Sequence, residues 1–89
     1  MKYSIVFTKT FKKAFKKLTR SDKEQTLEIL NKLANKEALK DKYHDHALMG
    51  EFKGCRDCHI RPDLVLVYKI NDEFLEVLAM RISNHSKLF

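Results

Sequence analysis

The residues that decide the fold run from Phe52 to Ile70: Phe52-Lys53-Gly54-Cys55-Arg56-Asp57-Cys58-His59-Ile60, then Arg61-Pro62-Asp63, then Leu64-Val65-Leu66-Val67-Tyr68-Lys69-Ile70. The last seven are almost unbroken in aliphatic and aromatic character, which reads as a strand buried on both faces. Proline fixes its own φ and biases the preceding residue to an extended state, so Arg61-Pro62-Asp63 is a turn. Residues 52–60 then read as the partner strand of a hairpin. Asn71-Asp72-Glu73 turns the chain again, and residues 74–82, apolar on both parities, form a third strand before a tail at 83–89.

Working back from this block, residues 36–50 lack a steady period and read as a loop carrying His44-Asp45-His46. Before it lies a helix with Leu27, Ile29, Leu30, Leu33 and Ala34 as its apolar set. Its expected start is the capping box Ser21-Asp22-Lys23-Glu24. A preceding helix has Phe7, Phe11, Ala14, Phe15 and Leu18 at helical spacing, with Lys9, Lys12, Lys13, Lys16 and Lys17 on the other side. Thr8 or Thr10 can cap it. Tyr3, Ile5 and Phe7 alternate within residues 2–7, a short strand. The order is β-α-α-β-β-β. The expected class is α+β: a two-helix hairpin on a mostly antiparallel four-stranded sheet.

A chain of 89 residues, 44% hydrophobic, suits one domain over residues 1–89. No stretch approaches the roughly 20 apolar residues of a membrane span, so no membrane role is expected. The first fifteen residues lack a continuous apolar run and read as mature sequence. Two cysteines, Cys55 and Cys58, make no disulfide framework, and a reducing cytoplasm is the expected compartment. Residues 1–42 carry 12 Lys/Arg against 5 Asp/Glu, a net +7, whereas residues 43–89 carry 6 against 7, a net −1. The basic half suits a polyanion such as RNA, or equally a solubilising face. All four histidines, His44, His46, His59 and His85, lie in the other half.

With only Gly50 and Gly54, the chain has no glycine-rich phosphate loop and no Gly-x-Ser-x-Gly elbow. Cys55-Arg56-Asp57-Cys58 has metal or redox spacing, but residues three apart on a strand point to opposite faces, which favours Cys58 in the core beside Ile60. The same parity puts Asp57 and His59 on one face. Asp63 follows the turn, and Arg81 lies near the end of the last strand. Imidazoles, carboxylates and a guanidinium are what metal-free RNA cleavage needs: a base for the 2′-hydroxyl, an acid for the leaving oxygen and a cation for the phosphate.

Several separated elements resemble the YafQ branch of the RelE-type toxins. They are His44-Asp45-His46-Ala47-Leu48-Met49-Gly50, Arg56-Asp57-Cys58-His59-Ile60-Arg61-Pro62-Asp63, Leu66-Val67-Tyr68-Lys69, Arg81, and His85-Ser86-Lys87-Leu88-Phe89. The resemblance implies a RelE-like fold and a toxin of a type II toxin–antitoxin pair. It further implies an mRNA endonuclease with no cofactor or metal, acting on the ribosome and leaving a 2′,3′-cyclic phosphate. By position, the catalytic set it implies is His46, Asp57, His59, Asp63, Arg81 and His85. His85 is expected as the general acid and either His46 or His59 as the base. Phe89, Lys53 and Arg56 are expected to contact substrate, and His44 falls outside the motif. Expected partners are a cognate antitoxin, mRNA and the ribosome, with operator DNA reached through the antitoxin complex. The alternative reading is a non-catalytic basic module that binds RNA, the ribosome or an antitoxin.

Overall fold

The computed structural model describes residues 2–84. It contains β1 Ser4–Phe7, α1 Lys9–Phe15, α2 Arg20–Ala34, β2 His46–Ala47, β3 Arg56–Arg61, β4 Leu64–Asn71 and β5 Glu76–Asn84, with 3-10 turns at Asp41–Tyr43 and Gly50–Phe52. The strands form one sheet in the order β1-β5-β4-β3-β2. β1 runs parallel to β5, and all other neighbours are antiparallel. The expected α+β plan of two helices on a mostly antiparallel sheet is present, with five strands rather than four. The extra strand, β2, has two residues, too few for alternation to show in a sequence. The partner strand expected over 52–60 begins later, at Arg56, because Phe52 lies in a 3-10 turn.

Both helices start on a threonine. The Thr8 hydroxyl accepts from the Phe11 amide at 3.0 Å and donates to the Met80 carbonyl at 2.8 Å, so the cap also ties α1 to β5. α2 starts before the expected capping box: Thr19, with extended backbone, accepts from the Asp22 amide at 3.1 Å. A hydroxyl can cap from either position, and the earlier one adds two residues of helix. Glu24 therefore pairs with Arg20 at 3.2 Å instead of reaching back to Ser21.

The helices cover one face of the sheet. Between them lie Phe11, Ile29, Leu30, Leu33 and Ala34 from the helices, and Cys58, Ile60, Leu64, Leu66, Tyr68, Val77, Ala79 and Ile82 from the strands. Each large aliphatic side chain buried here stabilises the fold by about 2 kcal/mol. The opposite face holds a smaller cluster, Val65 and Val67, covered by Leu48, Cys55 and Met80. β4 is thus buried on both faces, as its composition predicts. In β5 the core residues Val77, Ala79 and Ile82 break strict alternation because a bulge intervenes: Tyr68 pairs with Ala79 but Val67 with Arg81. The extra residue, Met80, resets the parity. This explains why residues 74–82 look apolar on both parities. Phe74 itself lies in the turn before β5 and is 66% exposed.

At the end of β3, Arg61 reaches back to the first turn of α2. Its Nε and Nη2 each donate to a carboxylate oxygen of Asp22 at 3.0 Å, and its Nη1 donates to Asp63. Asp22 is only 7% exposed, and the Arg61 hydrogen bonds hold its carboxyl below the usual carboxylate range. A lowered native value means the carboxylate stabilises the fold above about pH 4 and loses that contribution as pH falls through its native pKa. Asp22→Asn is expected to cost roughly 1–3 kcal/mol at neutral pH. In urea titrations, its deficit relative to the parent should shrink below about pH 4. A pH-independent deficit would contradict this account.

Candidate active site

The chemistry-bearing residues lie on the sheet face opposite the helices. Strand register places them in rows. His46 pairs with Asp57, Asp57 with Val67, and Val67 with Arg81, so an imidazole, a carboxylate and a guanidinium stand in one line across four strands. At about 4.8 Å per strand the line is about 14 Å long. The next row runs from His59 through Val65 to Ser83. Alternation along β3 puts Asp57 and His59 on this face and Arg56, Cys58 and Ile60 on the helix side.

His46 is held at both ring nitrogens. Its Nδ1 lies 2.7 Å from the His44 carbonyl, and its Nε2 lies 3.0 Å from Oδ1 of Asp57. The second contact is an electrostatic pairing without hydrogen-bond alignment, because Asp57 Oδ1 has no hydrogen-bond donor although the residue is only 1% exposed. A buried carboxylate oxygen with its donor misaligned costs free energy, so the pair is set to tighten if the imidazole turns. His59 is tied in the same way as His46, its Nδ1 lying 3.2 Å from the Pro62 carbonyl. In both residues Nδ1 faces a backbone carbonyl, which fixes the orientation of the ring.

Arg81 projects from β5, next to the bulge, and its guanidinium stacks over Phe52 with 5.6 Å to the ring centroid. A cation held on an aromatic face keeps its charge and its orientation. Lys53 is exposed just after the 3-10 turn that carries Phe52. Asp63 binds Arg61 at the turn between β3 and β4. Arg56 points to the helix side, where its Nε and Nη2 approach the Asp45 carboxylate at 3.3 and 3.4 Å. His85 and Phe89 lie outside the described residues.

Three residues that sequence reasoning gave no role take part. The His44 ring meets His59 edge-on, 5.7 Å between centroids, from a left-handed backbone conformation (φ 48°). Asp45 binds Arg56 and the Tyr68 hydroxyl. Phe52 carries Arg81. The signal for the first two was alternation: in His44-Asp45-His46 the outer residues share one parity and the middle one has the other. A loop assignment discards that parity.

The two cysteines fall on opposite faces, Cys58 in the helix-side core and Cys55 in the outer cluster. Burial pushes the Cys58 thiol up to about 12. Among the described residues no three His, Cys, Asp or Glu side chains converge as a metal site. Native protein is expected to take an alkylating reagent at Cys55 only, with Cys58 reacting after denaturation. Mass spectrometry of the labelled protein checks this, and native labelling at Cys58 would refute it.

The chain is similar to several known proteins. A family model described as the bacterial toxin YafQ of type II toxin–antitoxin systems matches residues 3–89. A Haemophilus influenzae protein bearing the YafQ toxin name is 53% identical over 57 residues, 62% of this chain and 56% of that protein. The mRNA interferase toxin YafQ of Escherichia coli is 45% identical over 47 residues, 53% of this chain and 49% of that one. The matched segments therefore span about half the length of these relatives. Solved structures align more fully. A metal-bound toxin from Helicobacter pylori superposes with a TM-score of 0.88 at 36% identity, covering 98% of this chain and 99% of that one. YafQ in the E. coli DinJ–YafQ toxin–antitoxin complex superposes with a TM-score of 0.83 at 29% identity, covering 100% and 99%.

Proposed function

Because the chain belongs to the family of bacterial YafQ toxins of type II toxin–antitoxin systems, we propose that it is an endoribonuclease that cleaves mRNA on the ribosome without a metal ion. A cognate antitoxin holds it in check, and through that antitoxin it reaches operator DNA. One observation carries the reading: the buried Asp57 carboxylate stands 3.0 Å from the half-exposed His46 imidazole, on the face that also bears His59 and Arg81. Acid–base groups and a cation gathered on one face are the equipment of phosphodiester transesterification.

In this mechanism the substrate's 2′-oxygen loses its proton to a histidine imidazole and attacks the adjacent phosphorus. The bond from phosphorus to the 5′-oxygen breaks. One product ends in a 2′,3′-cyclic phosphate, and the other carries a 5′-hydroxyl protonated by the general acid, His85. The base is His46 or His59; both are oriented by a carbonyl at Nδ1. Asp57 favours the imidazolium that forms if His46 takes the proton. Arg81, held on Phe52, stabilises the charge on the phosphate oxygens. Asp63 acts through Arg61 at the rim, and Lys53 and Phe89 contact the RNA. Lys9, Lys12, Lys13, Lys16 and Lys17, exposed along α1 and the turn after it, attract ribosomal RNA backbone and make binding salt-dependent.

His46→Ala and His59→Ala are each expected to lose at least about 100-fold in cleavage rate while keeping the fold. Cells expressing either variant should keep growing where the parent arrests them. Parental activity should survive EDTA and yield cyclic-phosphate ends. Parent-like arrest and mRNA cleavage by both variants would remove the site assignment, and activity that needs an added metal would remove the metal-free mechanism.

A further inference from the structure

The segment His44-Asp45-His46 is anchored at its middle residue. Asp45 turns to the helix side of the sheet, where its carboxylate accepts from the Tyr68 hydroxyl and from Nε and Nη2 of Arg56. Arg56 and Tyr68 are cross-strand partners on β3 and β4, so the anchor spans two central strands. Tyr68 is 1% exposed and belongs to the core between helices and sheet. It cannot move without disturbing that core. The residues on either side of Asp45 take the opposite parity and reach the catalytic face. The His44 carbonyl faces Nδ1 of His46, and the His44 ring abuts His59. A single side chain gripped on one face therefore sets two histidines on the other.

We infer that Asp45, clamped by Tyr68 and Arg56, is the positioning residue of this site, holding His46 and, through the His44 ring, His59 in their reactive orientation. Without the clamp, the two-residue pairing of β2 with β3, the Leu48 amide on the Cys55 carbonyl and the packing of Leu48 against Val65 and Val67 hold the chain beyond His46, and the side before it loses its anchor. A displacement of about 1 Å is enough to cost on the order of 100-fold in rate. The inference also reassigns Arg56, which would serve the clamp instead of binding RNA. It rests on the proposed nuclease reading for its kinetic consequence, but not for its structural one.

The test uses the full chain with Asp45→Asn and Tyr68→Phe, two measurements on each. The first is single-turnover cleavage of an RNA oligonucleotide across a range of enzyme concentrations. Both variants should lower the maximal rate, Asp45→Asn by on the order of 100-fold, with the half-saturating concentration unchanged. The second is NMR of the imidazole groups. The His44, His46 and His59 resonances should shift in both variants, while methyl resonances of Ile29, Leu30 and Leu66 stay in place. If Asp45→Asn fails to fold, Tyr68→Phe, which removes one oxygen atom, carries the test. Parent-like rates with unmoved imidazole resonances overturn the inference, as does a loss confined to half-saturation. A parent protein that cleaves no RNA overturns the nuclease reading instead, and the imidazole resonances still decide the clamp.

Discussion

Val65 and Val67 are as deeply buried as Leu64, Leu66 and Tyr68 on the other side of the same strand. A strand with no exposed face must be covered twice, and the rest of the molecule follows from that requirement. The two helices supply one cover through Phe11, Ile29, Leu30 and Leu33. The other is thinner, made by Leu48, Cys55 and Met80 over the two valines. Because this second cover is partial, polar side chains can stand beside it while the sheet beneath remains rigid. Hydrophobic burial thus places a site-bearing surface on a support that does not yield.

The two faces divide the work. Asp22, Arg61, Arg56, Asp45 and Tyr68 form ion pairs and hydrogen bonds that join the sheet to the helix side and to the segment leading into β2. His46, Asp57, His59 and Arg81 occupy the other face. The unaligned Asp57 oxygen shows the cost of this arrangement: a carboxylate is kept buried beside an imidazole without a good donor. Such a group is poor for stability and, in the proposed mechanism, useful because the site changes its charge during reaction.

Much of this was legible in the sequence, because period-two alternation is a direct readout of faces. The parity of Asp57 and His59 against Cys58 put those two on the face away from the helices, and the apolar run of β4 announced its double burial. The helical hairpin followed from phenylalanines and leucines at helical spacing. The failures have physical reasons. β2 is held by its neighbours rather than by its own pattern, so two residues between irregular segments carried no signal. The bulge at Met80 exchanges the faces midway through β5 and blurred its reading. Thr19 and Ser21 are chemically equivalent caps, and only the length of the preceding turn chose between them.

The parallel pairing of β1 with β5 joins Ser4 to Glu76 and Phe7 to Ala79. During synthesis, β1 must therefore wait for β5. The helical hairpin can form early from local contacts, but its apolar face has no sheet to pack on until β3, β4 and β5 have emerged. Arg81 and the row it completes belong to β5. The assembled surface therefore appears only after β5 has left the ribosome. For a protein whose proposed target is translation, high contact order acts as a delay between being made and being able to act.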